Sequence, residues 1–386
     1  MLQNNSKLKT IFLLGFLFSL SAAFTSYINS SFLSIFLKEK NVGLIYVAGS
    51  IFAIFLLSFI PFILRKIGEY KFILLISSFI IAVLFILSTT KSPTIIIPIF
   101  ILYFALNYLI IFSLDEFIQI FTQNSSKGYI HGLYLTLVNL AWVLSQIISS
   151  KTSSNFSLSS HYFVAFLTMI VFFAIALLTL RKTNDPKYDK TFAWDSVRKF
   201  LKEKNLTRAY KINFVLQFFY VWMVIYIPIY LSSHLNFSWQ EIGIIFTIML
   251  LPFVLFQFPL GKYSDKIGER KILIFGFCIT ALSVFSLFFI QEHILWIWAL
   301  LLFFSRVGAA TIEVMSDVYF FKHIKQENDE FISIYRNAGP MAYIIAPIVA
   351  LFVFSFTPSF NFIFPILGII VLSGAYISSK IPREDI

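Results

Sequence analysis

Apolar runs of roughly 18 to 25 residues recur from one end of this chain to the other, each long enough to cross about 30 Å of hydrocarbon as a helix. They fall at approximately 11–36, 44–64, 72–89, 94–118, 130–150, 161–180, 212–232, 241–260, 272–290, 295–318, 331–354 and 362–379. A chain that must satisfy every backbone polar group inside lipid folds as helices or as a closed barrel. A barrel needs alternating segments of about ten residues, and the runs here are continuous. Only 13% of residues are charged, against about 25% in soluble domains, and 59% are hydrophobic, which excludes a soluble globular chain. The expectation is an all-α membrane protein with twelve transmembrane helices. The 49 phenylalanines then serve mainly as lipid-facing bulk and packing.

The second half repeats the first. Arg65, Lys66, Ile67, Gly68 and Glu69 follow one apolar run, and Asp265, Lys266, Ile267, Gly268 and Glu269 follow another, 200 residues on. Tyr134 and Asn139 lie in a stretch related at an offset of 201 to the one holding Tyr335 and Asn337. The twelve runs therefore divide into two pseudo-symmetric six-helix bundles, residues 1–180 and 212–386, joined by a basic linker, 181–211. Paired bundles of this kind imply a solute path between the halves.

The net charge of +11 tracks the loops and does not signal nucleic-acid binding. With the N-terminus inside, cytoplasmic segments hold 24 of the 30 Lys and Arg, and the opposite loops hold Lys38, Lys40, Lys91 and Lys151. Only Arg306 and Arg336 fall inside spans. This bias implies a multi-pass protein of the cytoplasmic (inner) membrane with both termini cytoplasmic. Lys7 and Lys9 ahead of an apolar stretch, with Ser21, Ala22 and Ala23, resemble a signal peptide; the run's length of about 26 residues reads as a first helix instead. Cys278 is the only cysteine, so no intramolecular disulfide and no redox chemistry is expected.

The linker carries ten basic and four acidic side chains. Within it, Thr191 to Lys204 reads as a short amphipathic helix with Trp194, Val197 and Leu201 on one stripe, suited to lying on anionic lipid.

Gly261, Asp265, Gly268, Arg270 and Lys271 stand at the spacing G-x-x-x-D-x-x-G-x-[RK]-[RK] between spans eight and nine. The chain resembles the major facilitator superfamily in this gating loop, in the six-plus-six division, in the basic middle loop and in the placement of its ends. The resemblance implies secondary transport by alternating access, with Asp265 latching the halves against the N-terminus of span five, where the helix dipole is positive. Gly268 suits a turn of positive φ. The first copy of the loop departs from the pattern, with Pro61 and Arg65 in place of Gly and Asp. Span four has no Arg, span five lacks the glycine- and proline-rich pattern of proton-driven drug exporters, and the stretch typical of sugar porters after span six is absent.

Charges inside spans are costly, roughly 2.5–3.5 kcal/mol each near a helix centre, so they face the bundle interior or water. Arg306, Glu313 and Asp317 are seven and four residues apart and share one face of span ten within about 40°. At an offset of 198, Asp115 matches Glu313 and Gln119 matches Asp317, with Glu116 beside them. Two readings stand. Either Glu313 or Asp115 carries a proton and Arg306 contacts an anionic or hydrogen-bonding solute, or Arg336–Glu313/Asp317 and His131–Asp115 are fixed ion pairs. The resemblance places the first, fourth, seventh and tenth helices along the path, with Asn29, Asn107, Gln217 and Tyr220 as wall candidates. Asn139 and Trp142 of span five join them, beside Thr25, Ser26, Ser30, Asn213 and Tyr226. Gly339 and Pro340 suggest a kink in span eleven.

No phosphate loop, metal cluster or nucleophile pattern stands out, so neither cofactor, metal nor enzymatic activity is expected. The function these features support is secondary active transport of a small organic solute, proton-coupled or driven by another ion, in the direction of uptake. Its partners are the solute, the coupling ion and membrane lipid, with no nucleic acid, and the protein is taken as a monomer. Export of a drug or metabolite is the alternative within transport, and a non-transporting sensor or scaffold the alternative outside it.

Overall fold

The computed structural model describes residues 2–121, 127–152, 157–181, 194–256, 268–324 and 330–382. Every regular element among them is helical. The chain forms two compact units, Met1–Thr191 and Phe192–Ile386. The first contains α1 (Leu2–Ser26), α2 (Asn29–Ser34), α3 (Glu39–Thr89), α4 (Pro93–Phe121), α5 (Lys127–Thr152) and α6 (Leu158–Thr179). The second contains α7 (Trp194–Lys202), α8 (Lys204–Ile229), α9 (Trp239–Leu255), α10 (Glu269–Leu287), α11 (Leu295–His323), α12 (Glu330–Arg336), α13 (Ala338–Phe356) and α14 (Ile363–Ser379). Among the described residues, eleven segments are long and apolar enough to cross a membrane, and Trp239–Leu255 is a shorter apolar helix of 17 residues.

Two expected runs are interrupted and two others run together, each for a local reason. The second and third spans are continuous in α3 except at Gly68, whose φ of 73° and ψ of 164° turn the chain. The first run breaks at Tyr27 and Ile28, where Thr25 and Ser26 hydroxyls both bond back to the Ala22 carbonyl and compete with the helix ladder. The eleventh breaks at Asn337. Pro340 has no N–H for the Arg336 carbonyl and its ring crowds that oxygen, so α12 ends at Arg336 and the helix resumes at Ala338.

Each unit repeats one packing scheme. In the first, α1 packs on α5 and α6, and α3 on α4 and α6; in the second, α8 packs on α13 and α14, and α10 on α11 and α14. The sequence repeat is thus a repeat of helix pairs. Large apolar side chains such as Phe55, Phe59, Phe79, Phe85, Phe275 and Phe352 point outward, where lipid receives them without cost.

The α10–α11 pair holds the second unit's deepest charge. Neither Gly276 nor Gly308 has room for a Cβ, because each abuts the other's carbonyl, and Gly308 also meets Thr280. Thr280 Oγ1 donates toward Gly276 O and Ser305 O at 2.9 and 3.3 Å, pinning α11 one residue before Arg306. Such small-residue contacts are the main source of helix association in lipid. Gly308→Leu is expected to lower stability by about 1–3 kcal/mol through overpacking. Thermal unfolding in detergent, followed by tryptophan fluorescence, measures it; an unchanged midpoint contradicts the close approach.

The linker helix packs through a residue outside its expected stripe. In α7 the buried side chain is Phe200, set edge-on against Tyr210 and Phe331 at 6.2 and 5.5 Å, while Leu201 is 59% exposed. Phe200 sits 100° from Leu201 on the helix, so the face packed on protein is separate from the stripe expected to meet lipid. The helix therefore docks on α8 and α12. The side chain of Trp194 lies outside the described residues, and α8 already begins at Lys204, within 181–211.

Candidate solute-binding site

The polar residues of the first unit are largely engaged in packing. Asn29 Oδ1 accepts from Tyr162 OH at 2.7 Å, and Thr25 Oγ1 and Tyr103 OH are 2.7 Å apart. Asn107 Nδ2 donates to the Tyr103 carbonyl of its own helix at 2.7 Å. Trp142 meets Tyr27 edge-on at 5.9 Å, and Gln146 Nε2 donates to Ala23 O at 3.3 Å. Asn139 is half-buried on α5, and Asp115 and Glu116 are half-buried on α4. The side chains of Gln119 and His131 lie outside the described residues, and so does the expected His131–Asp115 pair.

The second unit gathers its charges. Eleven residues into α11, about 16 Å along its axis, Arg306 is 1% exposed. Its guanidinium lies over the Phe219 and Tyr220 rings at 4.8 and 5.4 Å. Nε and Nη1 have no hydrogen-bond partner among the described residues. Two turns on, Glu313 Oε2 accepts from Tyr220 OH at 3.4 Å. One turn back along α8, Gln217 Nε2 donates to Asn213 Oδ1 at 3.3 Å, and Asn213 Nδ2 to the Tyr335 carbonyl at 3.4 Å. The wall is open beside Gly339, where a Cβ would meet only Gln217 Oε1, at 3.7 Å.

Next to it is a cluster of different character. Tyr335 OH donates to Asp317 Oδ1 at 2.9 Å and lies 2.8 Å from Ser316 Oγ. Arg336 Nη2 reaches Asp317 Oδ2 at 3.5 Å, with Arg336 43% exposed. Tyr335 stacks on Phe320 with ring centroids 4.0 Å apart. Asp317 and Arg336 thus meet as the spacing suggested, in a hydrogen-bonded, partly solvated pair that joins α11 to α12.

Of the gating-loop residues, Gly261 and Asp265 lie outside the described residues. Gly268 is the N-cap of α10 at φ 80°, and Arg270 sits in that helix's first turn. The repeated turn holds a feature the reading of motifs passed over. Glu69 and Glu269, each following a positive-φ glycine, are both buried. Ser113 Oγ donates to Glu69, and Lys322 Nζ lies 3.5 Å from Glu269. Their identical position in the two copies was the available signal. Among the described residues no three His, Cys, Asp or Glu side chains gather as metal ligands.

What separates Arg306 from the other charges is its energy balance. Stacking on two rings returns about 0.5–2 kcal/mol. Burying a charge near the centre of a membrane helix costs roughly 2.5–3.5 kcal/mol. The balance is negative, so the position costs stability that packing alone does not recover.

Residues 212–384 match the family model of the Major Facilitator Superfamily. No match by sequence is found among curated proteins. Two solved structures share the fold of nearly the whole chain. One is a bacterial homolog of the human lysosomal transporter Spinster, inward-facing and unoccupied. It has a TM-score of 0.71 and 12% identity, over 98% of this chain and 93% of that one. The other is the peptide transporter POT in complex with sulfate, at a TM-score of 0.76 and 11% identity, over 96% and 93%.

Proposed function

We propose, from the match of residues 212–384 to the Major Facilitator Superfamily model and the fold shared with two transporters of known structure, that the protein belongs to that superfamily and carries out proton-coupled uptake of a small organic solute by alternating access. One observation carries the reading. Arg306 is buried in a membrane-spanning helix, its Nε and Nη1 without a partner among the described residues, beside a Tyr220–Glu313 bond. A buried cation with open donors is a binding group, and a carboxylate two turns away is a proton carrier. Arg306, Tyr220 and Gln217 contact the solute, and Glu313 holds the proton. Asp317 and Arg336 act as a structural pair, and Asp115 remains a second proton candidate. Asn29, Asn107, Asn139 and Trp142 shape the path from the first bundle.

The protein sits in the cytoplasmic membrane with both ends inside, as the distribution of Lys and Arg favours. It divides into bundles 1–180 and 212–386 with 181–211 between them, works as a monomer, and its loop Gly261, Asp265, Gly268 and Arg270 gates the cycle. Uptake is favoured over export by the missing exporter pattern in span five.

The test is to add members of a broad solute panel to proteoliposomes holding an internal pH dye. Internal acidification on adding one chemical class, and none in empty vesicles, is the expected result. Silence across the panel from protein shown to be folded would exclude this reading.

A further inference from the structure

We propose that the exposed face of α7 binds anionic phospholipid headgroups where α8 enters the bilayer, and that this contact holds α12 in place beside the solute wall. Such a contact requires no particular solute and no coupling ion.

Helix α7 ends at Lys202, and the membrane-spanning segment Lys204–His234 begins two residues later. The helix is therefore tied to the boundary of the bilayer. Arg198, Lys199, Lys202 and Lys204 are all exposed, and Leu201 is 59% exposed beside them. At about 100° per residue, Arg198 and Lys202 stand roughly 60° and 100° round the helix from Leu201, on the side away from Phe200. None of the four cations makes an ion pair among the described residues, and Glu203 is the acidic side chain that interrupts them.

An exposed leucine bordering a cationic face suits the layer between headgroups and acyl chains. The leucine enters the apolar edge while the long basic side chains reach back to phosphate. Each cation held near an anionic surface is worth about fivefold in binding. A soluble phosphate offers the charge without an apolar layer for Leu201, which favours the bilayer.

The opposite side of α7 carries the coupling. Phe200 is 1% exposed, with the Phe331 ring 5.5 Å away, and Thr207 Oγ1 of α8 donates toward the Phe200 and Leu201 carbonyls at 3.3 and 3.2 Å. Helix α12, which bears Phe331, has seven residues and is too short to persist on its own. Its Tyr335 hydroxyl bonds Asp317, and its Tyr335 carbonyl accepts from Asn213, which in turn accepts from Gln217. Holding α7 at the membrane therefore steadies α12 through one ring contact, and α12 steadies the wall.

The experiment follows hydrogen–deuterium exchange of the full chain in nanodiscs of phosphatidylcholine, alone and with about a third phosphatidylglycerol. The anionic lipid is expected to slow exchange in 194–202 and in 330–336 by about fivefold or more. Salt at about 1 M, where the screening length falls to about 3 Å, should remove most of that slowing. In the triple variant Arg198→Gln, Lys199→Gln, Lys202→Gln, whose sites are exposed, the slowing should be lost from both helices. In Phe200→Leu it should persist in α7 and be lost from α12. Equal exchange in the two lipids overturns the proposal, as does slowing that survives in the triple variant or stops at α7 in the native chain. The same slowing produced by inorganic phosphate in phosphatidylcholine discs would assign the face to a soluble anion and overturn the lipid contact.

Discussion

Arg306→Met will abolish uptake, by a hundredfold or more, in a protein that folds as well as the native chain or better. A buried charge costs roughly 2.5–3.5 kcal/mol at a helix centre. The two aromatic rings offset only part of it. Methionine keeps the contact with Phe219 and Tyr220 and removes the charge, and replacing buried ionic groups by apolar ones of similar size often stabilises by about 1–4 kcal/mol. Uptake into proteoliposomes and the midpoint of thermal unfolding read the two effects separately. A lowered midpoint with lost uptake would make Arg306 a structural residue. Retained uptake would remove it from the path.

Glu313→Gln will uncouple the carrier. Glutamine offers Tyr220 the same acceptor in place of the 3.4 Å bond, so the wall keeps its shape while the proton carrier disappears. Counterflow of solute between equal pools needs no net proton and should survive within about tenfold, whereas accumulation against a gradient should vanish. Loss of both activities in folded protein would assign Glu313 to solute binding, and loss of neither would move the proton to another carboxylate such as Asp115.

The fold was legible because lipid imposes one rule on every segment. A run of 18 or more apolar residues has few structures open to it, and repeats such as Gly68 and Gly268 mark where the chain turns. The break before Pro340 could be read for the same reason, since proline's missing N–H acts within one turn. Arg306, Glu313 and Asp317 could be placed on one helix face by spacing alone, because charge is rare in these helices and periodicity fixes which charges share a face.

What could not be read was which neighbour each polar group meets. Tyr162 and Tyr103 take up the hydrogen bonding of Asn29 and Thr25, but with 18 tyrosines in the chain nothing in the spacing marks those two. Phe219 is one of 49 phenylalanines, and its place under Arg306 depends on how α8 crosses α11. The packing of Phe200 has a similar origin: Tyr210 and Phe331, the rings that receive it, are not marked by the linker's own spacing.

The central claim is that the open guanidinium of Arg306 receives the solute. Calorimetric titration of the purified protein with the solute that acidifies the vesicles tests it most directly, comparing native chain with Arg306→Met at the same pH. Saturable binding to the native protein and none to the folded variant is the predicted result. Equal affinity for both would contradict the account, because the solute would then be held elsewhere.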